Sequence, residues 1–259
     1  MKASEMFDLT GRVAMVTGAS SGLGTQFARA LADNGAAVAL VARRVDRLTA
    51  LRDAIEAQGG RAVAIEADVT DRTAMLRAFD AAEQALGTVT ILVNNAGVAQ
   101  APLRAIEVTP EEWRRVLSTD LDAVFYWAQE GARRMLAANK KGSIVNIASV
   151  LGFGVAKGVA AYAVAKAAVV QTTKALALEL AFKGVRVNAI APGWFVTEIN
   201  DTYLNSEAGA AMKRDIPMGR FGNAGELDGA LLLLVSDAGA YMTGATIVVD
   251  GGQVVALKG

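Results

Sequence analysis

The sequence predicts an α/β fold: a single domain over residues 1–259, built on a doubly wound, mostly parallel seven-stranded sheet with helices on both faces. Three observations carry this expectation. Short β-branched apolar runs alternate with longer helical patterns from one end of the chain to the other. The runs are almost continuously apolar, as parallel strands covered on both faces must be. The first run leads through a glycine-rich turn straight into a helix.

Strands are expected at residues 12–17, 37–42, 62–67, 90–94, 143–148, 185–191 and 246–249. Helices are expected at 23–34, 46–58, 73–86, 110–138, 160–182 and 224–236. Their punctuation agrees: Thr109 with Pro110 opens one helix, and Gly35, Gly59, Gly87 and Gly184 stand just past four others. Residues 195–220 interrupt the rhythm with a mixed, aromatic, glycine-containing stretch. They read as a substrate-binding loop or lid, with an ordinary surface helix pair as the alternative.

Composition narrows the chemistry. The 259 residues hold 26 basic and 26 acidic side chains, so no net charge draws the chain to nucleic acid or anionic lipid, and a small-molecule partner is expected. No apolar run reaches the roughly 20 residues that span a bilayer, and residues 1–12 lack an apolar signal core, so a cytoplasmic protein is expected. With no cysteine and no histidine there is no thiolate, no imidazole base and no sulfur or imidazole metal ligand, and no metal site is expected. Acid/base work falls to Tyr, Lys, Asp or Glu.

The turn Gly18-Ala19-Ser20-Ser21-Gly22-Leu23-Gly24 is a G-x-x-x-G-x-G variant of the dinucleotide fingerprint of the Rossmann fold. Its glycines permit a tight turn, close approach to a pyrophosphate and close helix packing. The same residues spell G-x-S-x-G, the elbow of a hydrolase nucleophile, with Ser20 as nucleophile. That reading needs a histidine base, and the chain has none. After the second strand come Ala42, Arg43 and Arg44, where an NAD site usually carries an acidic residue. Two guanidiniums suit a 2′-phosphate, so NADP(H) is the expected cofactor, the plainer alternative being solvated arginines at a helix start.

Tyr162 and Lys166 stand four apart in a predicted helix, so their side chains share one face. A tyrosine in isolation is a weak acid, with pKa about 10, and a neighbouring cation favours its phenolate. A surface Tyr/Lys pair is the alternative. Ser149 follows a strand at its carboxyl end, where open α/β sheets bind ligands, though serines there also serve as turn caps.

Taken together, Thr17 to Gly24, Asp68-Val69, Asn94-Asn95-Ala96-Gly97, Ser149, Tyr162-x-x-x-Lys166, Pro192-Gly193, Thr197 and Asp250-Gly251-Gly252 resemble the short-chain dehydrogenases/reductases over almost the whole chain. The resemblance implies Tyr162 as proton donor/acceptor, Lys166 on the nicotinamide ribose, and Ser149 orienting the carbonyl. It implies Gly18, Ser20, Ser21, Gly22, Leu23 and Gly24 along the pyrophosphate, Asp68 and Val69 at the adenine, and Asn95 near the adjoining ribose. Phe195 and Thr197 would hold the carboxamide, and Arg43 falls at the position that marks NADP preference. The chain departs from the family pattern at Asp120, where an asparagine usually holds a water linked to the lysine. An ionised aspartate accepts hydrogen bonds but cannot donate them.

The activity expected is that of an NADP(H)-dependent carbonyl reductase or alcohol dehydrogenase acting on a ketone/secondary alcohol pair. Alternatives are a 3-oxoacyl thioester reductase, docking through Arg104, Arg114, Arg133 and Arg134, a sugar-acid or polyol dehydrogenase, and a non-catalytic NADP(H) sensor. Val98, Gln100, Phe153, Val155, Trp194, Phe195, Tyr203 and Leu204 are expected near the cavity mouth. An alanine-rich helix at 160–182 and the long helix at 110–138 suggest a homo-oligomer, a tetramer before a dimer.

Overall fold

The computed structural model describes residues 2–198, 204 and 206–256. After a short helix α1 (Ala3–Met6) come β1 (Val13–Thr17), α2 (Gly22–Asp33), β2 (Ala37–Ala42), α3 (Val45–Glu56), β3 (Arg61–Glu66), α4 (Arg72–Leu86) and β4 (Ile91–Asn94). The second half holds α5 (Pro110–Leu117), α6 (Ala123–Ala137), β5 (Gly142–Ile147), α7 (Ala160–Leu180) and β6 (Val185–Pro192). Then follow β7 (Phe195–Val196), α8 (Glu207–Arg214), β8 (Gly222–Asn223), α9 (Asp228–Val235) and β9 (Thr246–Val249).

Seven strands form one sheet in the order β3-β2-β1-β4-β5-β6-β9. Every pairing in it is parallel, so the sheet is wholly rather than mostly parallel. The strand order reverses between β1 and β4, which opens a crevice at their carboxyl ends. Alternation along each strand feeds two cores. Ala14 and Val16 of β1 pack with Phe27 and Leu31 of α2, Leu48 of α3 and Leu234 of α9. Val13 and Met15 face the other way, toward Phe79 of α4, Trp127 and Met135 of α6 and Leu180 of α7.

Local chemistry sets the ends of the helices. Asp71 caps α4 by accepting from the N–H groups of Thr73 and Ala74 (2.8 and 3.2 Å), and Thr109 caps α5 by accepting from Glu112. Gly35, Gly59, Gly87 and Gly184 all have positive φ, the left-handed turn that glycine adopts without a Cβ penalty.

Two expected helices are not regular. The stretch 110–138 widens into a π turn at Ser118–Asp122, between α5 and α6. The Ser118 and Thr119 hydroxyls there both donate to the Arg115 carbonyl, competing with its helical bond. The helix expected from 224 opens as a tight turn, Ala224–Leu227, before α9 begins.

Candidate active site

The glycine turn is fixed from across the crevice. The Thr17 hydroxyl accepts from the backbone N–H groups of Asn95 and Ala96, both at 3.1 Å, and donates to the Val93 carbonyl. Asn95 Nδ2 donates to the carbonyls of Thr17 (3.0 Å) and Gly18 (3.4 Å). Asn95, expected beside a ribose, therefore also braces the turn. Gly18 has φ +68° and its missing Cβ would sit 2.8 Å from Ala96 Cα. A Cβ on Gly24 would lie 2.3 Å from the Gly18 carbonyl oxygen, so α2 approaches β1 as closely as backbone allows. Ser21, the N-cap residue of α2, makes no side-chain cap bond. The first-turn amides of Gly22, Leu23 and Gly24 thus carry no side-chain acceptor, and the helix dipole favours an anion there.

The two arginines behave differently. Arg44 donates to Ser20 Oγ through Nε and Nη2 (3.2 and 2.9 Å) and to Ser21 Oγ through Nη2 (2.6 Å). Arg43, the position the family resemblance marks for NADP preference, points away. It is largely exposed, and its Nη1 lies 3.9 Å from Asp68 Oδ2. Asp68 is held by Thr70, whose backbone N–H and hydroxyl both donate to its Oδ1. Those bonds, the backbone one foremost, pull the carboxyl below its usual range against a smaller effect of burial, with Arg43 adding to them. Next to it, the Val69 carbonyl accepts from the indole N–H of buried Trp127 at 3.0 Å, which ties the Asp68-Val69 loop to α6.

On the other side of the crevice, β5 delivers Ser149 and α7 delivers Tyr162 and Lys166. Ser149 is buried, and its Oγ accepts from the Leu151 N–H (3.2 Å), which leaves its own O–H to donate elsewhere. The turn after it packs on α7: a Cβ at Gly152 would meet the Lys166 carbonyl at 2.9 Å. Lys166 is 4% exposed, its Nζ donates to the Ile147 carbonyl (3.0 Å) and lies 5.4 Å from the centroid of the Tyr162 ring. Beneath the site, Asn94 Nδ2 donates to Asn146 Oδ1 (2.9 Å) and Asn146 Nδ2 to the Thr173 hydroxyl (3.0 Å), a buried polar chain joining β4, β5 and α7.

Asp120 stands in the π turn with no solvent exposure. Its Oδ1 accepts from the Val98 N–H at 2.8 Å, and Oδ2 has no hydrogen-bond partner. Burial pushes the carboxyl up, opposed by Lys166, by the Val98 bond and by Arg115. Burial thus makes the ionised aspartate considered from sequence more costly than in water, and protonation would give the side chain a donor. A point 2.9 Å from its Oδ1 and 3.7 Å from Lys166 Nζ is the Cβ position that Gly97 leaves empty.

The residues expected at the cavity mouth divide. Phe153 and Val155 are exposed, whereas Gln100, Phe195 and Leu204 are buried, and Tyr203 lies outside the described residues. Leu204 packs with Ile216 and Phe221, and the Phe195 ring presses on Gly222, where a Cβ would come within 2.5 Å. Two features went unread in the sequence. One is the cap that Gln100 Oε1 places on the Tyr162 N–H (3.1 Å). The other is the Arg47–Glu198 ion pair (2.7 Å) beside a cleft of about 450 Å³ that Ser20, Gly22 and Thr197 help to line. Neither has a local motif to announce it.

An anion-ready helix end and a Ser/Tyr/Lys group, brought together at the switch point of a parallel sheet, define a dinucleotide-dependent oxidoreductase. A family model described as enoyl-(acyl carrier protein) reductase matches residues 18–253. Gluconate 5-dehydrogenase of Gluconobacter oxydans is 37% identical, the match covering 99% of this chain and all of that protein. Galactitol 2-dehydrogenase (L-tagatose-forming) of Cereibacter sphaeroides is 40% identical over 96% of this chain and 98% of that one. A gluconate 5-dehydrogenase from Burkholderia cenocepacia, solved with NADP and tartrate, superposes with TM-score 0.93 at 35% identity, covering 99% and 100% of the two chains. The chain belongs to the short-chain dehydrogenase/reductase family, and it is an oxidoreductase of the CH–OH/C=O class that uses a nicotinamide dinucleotide. Among the described residues, no helix is long and apolar enough to cross a membrane, and no cluster of acidic side chains could hold a metal.

Proposed function

We propose that this protein interconverts a secondary alcohol and a ketone on a polyol or sugar acid, with NADP(H) preferred. The observation that carries the chemistry is Tyr162 beside Lys166 on one face of α7, at the carboxyl end of β5. When bound, the nicotinamide supplies or takes up hydride. Tyr162 holds the proton that the alcohol oxygen gains or loses, Lys166 keeps a positive charge against the ring, and Ser149 donates to the same oxygen. Donors fixed in advance of the developing charge are the main source of rate in such sites. The uncapped start of α2 suits a pyrophosphate, and Arg44 with Ser20 and Ser21 suits a 2′-phosphate.

The relatives that oxidise gluconate and galactitol support a polyhydroxy substrate. Of the four arginines that the acyl-thioester alternative would use for docking, Arg104 pairs with Glu107, Arg133 with Glu130 and Arg134 with Asp80, Glu83 and Glu130, while Arg114 makes no ion pair among the described residues, so the patch carries less free positive charge than four arginines would supply. The described part of 195–220 (β7, α8 and β8) is read as part of the lid, residues 199–203 and 205 lying outside the described residues, and exposed Trp113, Phe125 and Val164 on α5, α6 and α7 support a homo-oligomer, a tetramer, through those helices. The test is reduction of keto-sugars, ketones and acetoacetyl thioesters followed by nicotinamide absorbance, with light scattering for the assembly. Turnover confined to the thioesters would overturn the substrate class.

A further inference from the structure

The loop of residues 98–104 is fastened to both helices that border the candidate site. The Val98 N–H donates to Asp120 Oδ1, the Ala99 carbonyl accepts from Arg115 Nη2 (2.9 Å), and the Leu103 N–H donates to the Gly158 carbonyl (3.1 Å). Gln100 sits between these ties, only 6% exposed. Its Oε1 accepts the backbone N–H of Tyr162 at 3.1 Å, in the first turn of α7. Val159, the N-cap residue, offers no side-chain acceptor, so the helix that carries Tyr162 is capped from 62 residues away.

This bond also fixes which way round the carboxamide lies. Only its oxygen can meet an N–H, so Nε2 occupies the other position, beside the same first turn. Nε2 is buried and has no hydrogen-bond partner. A buried donor with no acceptor is unfavourable, and an acceptor that arrives with a ligand relieves it. A glutamate could cap the same N–H without leaving a donor unpaired.

We propose that Gln100 is a positioning residue for Tyr162 and the determinant that selects substrates carrying an acceptor oxygen beside the reacting carbon. Oε1 holds the first turn of α7, and Nε2 donates to that oxygen. Polyols and sugar acids carry oxygen on the carbon next to the carbinol, whereas simple ketones do not. The inference rests on the reading of Tyr162 as the acid/base group.

The test compares wild type, Gln100→Glu and Gln100→Met on 2-methoxycyclohexanone and 2-ethylcyclohexanone, which differ by an ether oxygen in place of a methylene. Glu keeps an acceptor for the Tyr162 N–H but has no donor for the ether, and Met has neither. Wild type is expected to favour the methoxy ketone by roughly tenfold in kcat/KM, the value of one hydrogen bond, and both variants to lose that preference. Hydrogen exchange of the Tyr162 amide, read on the folded protein, is expected to accelerate in Gln100→Met and to stay protected in Gln100→Glu. A substrate preference that survives in Gln100→Glu overturns the donor role, and unchanged exchange in Gln100→Met overturns the positioning role. A Tyr162→Phe control that still turns over either ketone overturns the acid/base reading instead, while the exchange rates still decide the cap.

Discussion

Asp120 and Val98 are joined by one hydrogen bond, Val98 N–H to Asp120 Oδ1 at 2.8 Å, and among the described residues it is the only hydrogen bond this wholly buried carboxyl receives. Its second oxygen is unpartnered, and neither Lys166 nor Arg115 forms an ion pair with it among the described residues, although their charges favour ionisation at longer range. Burial is the largest influence, and it holds the carboxyl above its ordinary range.

The consequence is a pH dependence of stability. The folded value lies above the unfolded one, so the stabilisation linked to this proton is complete below the ordinary carboxylate range, about pH 4, and is lost as pH rises through the elevated folded value. Asp120→Asn, close in shape and uncharged, is expected to lack this loss. Its Tm relative to wild type should climb as pH rises from about 4. A Tm difference that is flat with pH would mean that folding does not shift the titration of the carboxyl.

Tyr162→Phe keeps the ring against Lys166 and removes only the proton-bearing oxygen. We expect kcat to fall by about 10²–10⁴-fold, the usual worth of a positioned acid/base, while dinucleotide affinity stays near that of wild type. Stopped assays with and without the substitution, together with a fluorescence titration of the dinucleotide, separate the two quantities.

Arg44 is the guanidinium that reaches the glycine turn, so Arg44→Ala is expected to weaken NADPH binding by about 10–100-fold, as for a hydrogen bond to a charged group worth about 1.5–3 kcal/mol. NADH binding should change little. Arg43→Ala, whose side chain points to Asp68, should have the smaller effect on NADPH. Equal losses from both substitutions would place the two arginines on the phosphate together.

Two glycines make a matched pair for the packing argument. A Cβ on Gly24 meets the Gly18 carbonyl at 2.3 Å, backbone that can move only by opening the turn. Gly24→Ala is expected to cost about 1–3 kcal/mol in denaturant unfolding and to impair dinucleotide binding. Gly229, in α9 with nothing within 4 Å, should tolerate alanine or gain up to about 1 kcal/mol. Comparable losses at the two sites would point to helix propensity rather than close approach.

Much of this architecture is legible from local pattern. All seven strands of the sheet fall within a residue of their expected ends, because an apolar run covered on both faces has no other stable use. The glycine turn, the Thr109 cap and the terminal glycines are equally local, since each depends on φ or on a hydroxyl within three residues. Irregular helix is harder to read. The π turn at Ser118–Asp122 adds a residue to one turn without breaking the apolar rhythm around it, so 110–138 looks like one regular helix. The 3₁₀ turn ahead of α9 is hidden for the same reason.

By itself, then, the sequence determined the sheet, its switch point, the dinucleotide turn and the Tyr162/Lys166 spacing, all of which follow from periodicity and from residues at most a few positions apart. Only the tertiary structure decided that Arg44 rather than Arg43 faces Ser20 and Ser21, and that Asn95 Nδ2 binds the Thr17 and Gly18 carbonyls. It also decided that Lys166 is anchored on Ile147, that Gln100 caps the helix of Tyr162, and that Asp120 is sealed from water. Each of these joins groups brought together from separate strands and loops, with directions set by how the elements dock. Burial, which lifts the Asp120 carboxyl above its ordinary range, exists only once the chain has closed around it.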